Sequence, residues 1–205
     1  MLIRYLGFVV LYFWLLPVYG ISNCELSHQA LYRANELANQ KAPLSEQKSV
    51  LQEAVELCPT NAYAHNNFAN LLGEEGTYPQ AIHHYKQALY YRPGLSQAWY
   101  GLGEVYDKQK RFPLSLETYL QVCRLDADAR QRIVQLLTGH RYTVTEEGEI
   151  LDRESLLVIY DPQKRQAIQE QLAACGLRAP PRMTVTFRNF LFNTAEATLQ
   201  DDRIE

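Results

Sequence analysis

Two adjacent imidazoles, His83 and His84, come nearest in this chain to a reactive pair. Imidazoles hold a metal or pass a proton when they converge on one point. Neighbouring helical residues point about 100° apart, so this pair reads as groove-edge or solvent-facing histidines. The acidic pairs Glu74-Glu75 and Glu146-Glu147 flank turns, where carboxylates are solvated. Cys24, Cys58, Cys123 and Cys175 show no C-x2-C spacing, which argues against zinc. No G-x-S-x-G, P-loop, G-x-G-x-x-G or H-E-x-x-H occurs. Nothing local sets a nucleophile beside a base. The sequence therefore implies no catalytic residue, no cofactor and no metal.

Composition narrows the classes further. With 205 residues, 47% of them hydrophobic, the chain supports one medium domain plus an appendage. The formal charge is −3, and no basic run reaches five residues. Nucleic acid and anionic lipid therefore find no electrostatic footing. The partner expected is another protein or an extended peptide.

The elements that must position any site follow a period of 34 residues. That interval separates Pro59 from Pro93, Ala54 from Ala88, His65 from Trp99, Phe68 from Leu102, Leu72 from Tyr106 and Tyr85 from Tyr119. A fixed period of this size marks stacked copies of one supersecondary unit. Each unit reads as two amphipathic helices of about 12–15 residues, apolar at i, i+3, i+4 and i+7. Ala69 or Gly103 on the first helix, and Ala81 or Ser115 on the second, are small enough for close approach. Phe68, Leu72 and Tyr85 fill the space between. Gly76 supplies positive φ at a helix end. Pro79 and Pro113 fit first turns, and Pro59 and Pro93 close second helices. The copies align as 28–61, 62–95 and 96–129. A capping helix at 128–138 follows, with Ile133, Val134, Leu136 and Leu137 on one face, so the array spans 28–138.

Trp99, Leu102, Gly103 and Tyr106, with Ala81, Tyr85, Ala88 and Pro93, spell W-x2-L-G-x2-Y, then A-x3-F, then P. The chain resembles a tetratricopeptide repeat protein. The resemblance implies a mainly α fold: a helical-hairpin solenoid of about three repeats, with a small α/β or partly disordered C-terminal appendage. It makes His65 a packing residue, because His65 stands where the pattern has Trp. It also places the first helices along a concave surface, with Tyr32 and Glu36, then Tyr63, Asn66 and Asn70, then Tyr100, Glu104 and Asp107 looking inward. Tyrosines there offer apolar area with a polar tip. Asn66 and Asn70, four apart, offer hydrogen bonds to a peptide backbone. The Lys and Arg cluster with which some such domains clamp a C-terminal carboxylate is missing, so an acidic C-terminal peptide is not the expected ligand.

Residues 1–20 read as a secretory signal. Arg4 gives the positive start, "LGFVVLYFWLL" an apolar core of 11 residues, and Val18 and Gly20 the small positions before a cut. Without cleavage the same segment is an N-terminal anchor, and it is the chain's one expected contact with a membrane. Export puts the cysteines in an oxidising compartment. Four cysteines allow three pairings, which sequence does not choose between. Cys58 and Cys123 lie on apolar helix faces and read as small core residues; the alternative for Cys58 is a bridge to Cys24, which would tie the N-terminal segment to the first unit.

After Gly139 the pattern changes. "LLVIY" reads as a buried strand, "PQKRQAIQEQLAACGL" as a helix opened by Pro162 and stopped by Gly176, and 184–192 as a further strand. The region divides into a strand-helix connector at 140–181 and a tail at 182–205. Phe192, Asn193, Ala195, Ala197 and Leu199 resemble the opening of an OmpA-like domain. That domain continues for about another 80–100 residues, a normal domain length. The Asp and Arg with which it grips peptidoglycan would lie in that continuation, so none is carried over. The strand at 184–192 is expected to lack sheet partners, leaving the tail poorly ordered. The function expected is a non-enzymatic protein–protein interaction scaffold, exported to the periplasm or cell envelope. The alternative is a structural, peptidoglycan-associated protein whose wall-binding domain is truncated.

Overall fold

The computed structural model describes residues 21–138, 144–145, 161–178 and 186–187. The signal-like segment, the "LLVIY" strand and the OmpA-like pattern at 192–199 lie outside the described residues. Three helical hairpins pair α1 (Asn23–Asn39) with α2 (Leu44–Leu57), α3 (Ala62–Glu74) with α4 (Tyr78–Tyr91), and α5 (Ser96–Lys108) with α6 (Phe112–Leu120). α7 (Ala127–Thr138) and α8 (Pro162–Ala174) both pack on α6. The first helices also touch one another, α1 with α3 and α3 with α5, and so form one wall. The mainly α, hairpin-repeat architecture expected from the 34-residue period is the one observed.

The hairpin turns repeat one hydrogen-bond device. Thr77 N–H donates to Leu72 O at 2.9 Å and Gly76 N–H to Gly73 O at 3.3 Å, the pairing of a Schellman helix end. Arg111 to Tyr106 and Lys110 to Asp107 reproduce it, both at 2.9 Å. The pivot residues Gly76, at φ +77°, and Lys110, at φ +57°, are 34 apart. Glycine occupies that backbone region at no steric cost, whereas lysine does so at about 1 kcal/mol.

One core runs the length of the array. Ala69, Leu72, Ala81, Tyr85, Leu102, Leu116 and Tyr119 are buried within it. The helices of unit three meet where Gly103 faces Tyr119. A Cβ on Gly103 would sit 2.5 Å from Tyr119 Cε1, and one on Gly101 would sit 2.6 Å from Tyr85 Cζ. Ser115 completes the near contact by donating to Gly103 O at 3.0 Å. The small residues read from sequence do bring the helix axes together.

Four findings differ from the sequence reading. α1 starts at Asn23, not near 28, because Ser22 caps it by accepting from Glu25 N–H at 3.2 Å. α6 has 9 residues and stops at Leu120. Beyond it the chain tightens into a turn whose Cys123 carbonyl accepts from Arg130 Nε at 3.2 Å and Nη2 at 3.1 Å. Cys58 and Cys123 are buried but are not free core thiols. Cys24–Cys58 is bridged, as the sequence allowed, with Cα atoms 4.7 Å apart, and Cys123–Cys175 is bridged with Cα atoms 5.9 Å apart. Lastly, Thr186–Phe187 (β2) does find a partner. It pairs in parallel with Val144–Thr145 (β1).

The second bridge, with buried Ile168 and Leu172, fixes α8 to unit three, aided by Lys164 Nζ donating to Glu117 Oε1 at 2.8 Å. The first bridge lies beside a buried joint between units one and two. There Asn61 Nδ2 donates to Ser27 Oγ at 2.9 Å, and Ser27 Oγ donates to Ala54 O at 2.6 Å.

Three measurements check this account. Thiol counting on denatured, unreduced protein should find no reactive thiol. Reduction should cost about 4 kcal/mol per bridge, since each closes a loop of several tens of residues. Gly103→Ala should destabilise the protein by about 2 kcal/mol in urea unfolding, because the enclosed Tyr119 ring has no room to move aside.

Candidate functional site

The wall of first helices carries the residues expected to bind a partner, and it treats them unequally. Tyr32 is 69% exposed, and Glu36 beside it on α1 is also exposed. Tyr63 is exposed at its edge, with the Arg92 guanidinium 4.9 Å above the ring centroid, a cation–π contact that steadies the ring. Asn70 is exposed but already engaged, as its Oδ1 accepts from Tyr85 Oη at 2.6 Å. Asn66 is not a solvated groove residue. It is 5% exposed, donates from Nδ2 to Asn67 Oδ1 at 3.1 Å, and leaves its own Oδ1 without a partner among the described residues. Asn67 continues the row by donating to Asn35 Oδ1 at 3.2 Å, joining α3 to α1.

Tyr100, Glu104 and Asp107 are half-buried on α5. Arg132 from α7 reaches this group, with Nη2 3.5 Å from Glu104 Oε1. The Tyr100 hydroxyl, and behind it Tyr119 and Glu104, hold the guanidinium pKa above its ordinary value. The Tyr119 ring comes from α6 to lie 5.6 Å from the Tyr100 ring, centroid to centroid.

Sequence reasoning assigned Tyr85 and Tyr119 to the core alone. Both rings are buried, and the Tyr85 hydroxyl reaches Asn70 on the wall. Burial, then Glu104 and Glu74, raises the Tyr85 pKa. Burial, then Asp107 and Glu104, raises that of Tyr119. Both phenols stay protonated and neutral. Tyr119 Oη has no hydrogen-bond partner among the described residues. A signal was available: both tyrosines stand where the repeat pattern has Phe.

The histidines form a packing cluster. His65 Nε2 lies 2.9 Å from Pro59 O. The equivalent Trp99 Nε1 donates to Pro93 O at 2.8 Å. His65 thus repeats the indole's bond 34 residues earlier, in the packing role the resemblance implied. A carbonyl only accepts, so His65 carries its proton on Nε2 and accepts at Nδ1 from His84 Nδ1, 3.0 Å away. His84 is half-buried against His65 and Phe68, while His83 is exposed on α4. No group of metal-ligating side chains occurs among the described residues. Of the acidic pairs, Glu75 bonds Lys48 at 2.6 Å, Glu74 is exposed, and Glu146-Glu147 lies outside the described residues.

Burial, then His65 and His83, lowers the His84 pKa to about 4, and burial also lowers that of His65. An unfolded histidine titrates near 6.5. Between those values the unfolded chain binds more protons, so stability is full above about pH 6.5 and falls as the pH drops toward 4. Unfolding free energies from urea titrations across that range should decline by roughly 1–2 kcal/mol, a figure discounted for the partial exposure of His84. His84→Gln should flatten the decline.

Comparison with known proteins finds repeats in the same part of the chain, the second match coinciding with the copy at 96–129 and the first offset from the copy at 62–95. Family models described as tetratricopeptide repeat match residues 50–83 and 96–128. Neither stretch reaches 182–205, where the OmpA-like pattern stands. Human tetratricopeptide repeat protein 7B is 26% identical over 104 residues, which cover 51% of this chain and 12% of that protein. Among solved structures, the TPR2B-domain:pHsp70-complex of yeast Sti1 is similar at 15% identity and a TM-score of 0.44, covering 73% of this chain and 95% of that one. Two stretches of this chain, within its run of three helical hairpins, are thus similar to tetratricopeptide repeats.

Proposed function

We propose that this chain is a non-enzymatic protein–protein interaction scaffold of the cell envelope, holding an extended partner segment across the wall of α1, α3 and α5. One observation carries the reading: the wall combines exposed tyrosine area with a buried acceptor, Asn66 Oδ1, that the described residues leave unpaired. Leaving such an atom unpaired costs about 1–3 kcal/mol. An extended peptide supplies regularly spaced backbone N–H donors that relieve this cost. Tyr32, Tyr63 and Tyr100 then cover the peptide's side chains on either side. Stacked repeats present such surfaces along their first helices.

Export to the periplasm or envelope is supported by the signal-like run at 1–20 and by the two cysteine bridges, which persist in oxidising compartments. Contact with a membrane enters only through that N-terminal run, should it stay uncleaved.

Replacing Tyr63, Asn66 and Tyr100 together with Ala should abolish capture of the partner in crosslinked pull-downs from envelope fractions read by mass spectrometry. The far-UV circular dichroism spectrum should stay helical. Undiminished capture by the triple variant would remove the wall as the binding surface.

A further inference from the structure

The second helices border a groove that the wall does not use. It lies between α4, α5, α6 and the first turn of α8, with a volume of about 550 Å³. Leu89, Leu102 and Leu114 line it as buried residues, and Trp99 lines it half-buried. The Trp99 indole N–H already donates to Pro93 O at 2.8 Å, so the ring offers apolar surface. Three charged residues complete the lining: Lys86, Glu117 and Lys164. Lys164 Nζ donates to Glu117 Oε1 at 2.8 Å. Lys86 is exposed and has no ion-pair or hydrogen-bond partner among the described residues. Two lysines against one glutamate leave the described lining positive. The repeat supplies an internal comparison. A groove between α2 and α4 is lined by Gln52, Val55, Phe68, Gln80 and His83, which stand 34 residues before Lys86, Leu89, Leu102, Leu114 and Glu117. There Gln52 bonds Glu56 at 2.8 Å, and the lining cation Lys48 is paired with Glu75 at 2.6 Å. Of the two grooves, the one beside α8 has leucine in place of an amide and an unpaired lysine in place of an engaged glutamine.

We infer that this groove binds a small amphipathic carboxylate, its acyl or aryl body against Trp99, Leu102 and Leu114 and its charge beside Lys86. Small-molecule sites enclose about 300–1,000 Å³ and combine a mostly apolar lining with a few polar groups, which describes this groove. Burial of the ligand's apolar body supplies the main driving force. The Lys86 ammonium, a mobile point charge, selects the sign of the headgroup. A cationic amphiphile does not fit, because it would meet two lysines. None of these residues belongs to the partner-binding wall, so the inference goes beyond that reading and stands or falls apart from it.

The test titrates dansylaminoundecanoic acid, and separately its methyl ester, into the full chain and follows the dansyl fluorescence. The acid should bind about three- to fivefold tighter than the ester, the effect of one solvent-exposed ion pair. Lys86→Gln should erase most of that difference. Glu117→Gln should tighten the acid about threefold, because it removes the like charge and frees Lys164. Lys48→Gln, in the groove between α2 and α4, should change nothing, and dodecanoate should displace the dye. Equal binding of acid and ester would overturn the inference. So would a loss in Lys48→Gln as large as that in Lys86→Gln, which would mark unspecific ion pairing. Weaker binding of the acid by a helical, folded Glu117→Gln variant would overturn the assigned role of the charges and the inference with it. Displacement by an acetyl-Leu-Leu-Glu-amide peptide and not by dodecanoate would overturn it in favour of a protein segment. Failure of the acid to bind at all would overturn it outright.

Discussion

Two missing β-carbons on α5 govern both the fold and the site. Gly103 lets the Tyr119 ring lie against the α5 backbone, and Gly101 does the same for Tyr85 from the preceding unit. A helical glycine costs about 0.5–1 kcal/mol relative to alanine. Here that cost is offset by two buried aromatic rings, each contributing more through burial and contact. The same approach carries both phenol oxygens to the far side of the interface. A phenylalanine would fill the space equally well, so the hydroxyls are not needed for packing. Core and wall are thus coupled through one interface, and a change at either glycine alters both.

Much of the fold was legible in the sequence because its signals are local and repeat. The 34-residue interval, the small residues at 69, 81, 103 and 115, the prolines and Gly76 each act within one hairpin, and the hairpins stack through neighbours alone. What escaped depends on contacts between distant segments or on competing local signals. The Ser22 side chain, accepting from Glu25 N–H, sets the start of α1 ahead of the repeat copy that opens at 28. Cys123 reaches Cys175 across 52 residues. That pairing follows from α8 docking on α6, which no periodicity encodes. Likewise Lys110 adopts the conformation that glycine takes one unit earlier, because the helix-end hydrogen bonds select the backbone and the side chain merely tolerates it.

The candidate site was legible in part. Tyr32, Tyr63 and Tyr100 lie on the first helices, where the repeat resemblance placed them. Asn66 and Asn70 were read as an equivalent pair, but they differ. Four residues span slightly more than one turn, and at the boundary of an apolar face that small rotation leaves Asn70 exposed and Asn66 buried. Helical periodicity separates faces. It does not resolve which polar residues at a face boundary bond to neighbours and which remain unpaired.

Those unpaired atoms are the strongest reason to treat the wall as more than a solvated surface. Elsewhere the repeats satisfy most of their polar groups, Gln109 Oε1 being a further buried exception. Asn61 caps α3 and bonds Ser27, Trp99 and His65 each bond a proline carbonyl, and Ser115 bonds Gly103. Against that background Asn66 Oδ1 and Tyr119 Oη stand out, because both belong to residues enclosed at the wall. Replacing either side chain with an apolar one of similar shape would raise stability. Local rules broken without a compensating gain in the free protein are characteristic of functional positions.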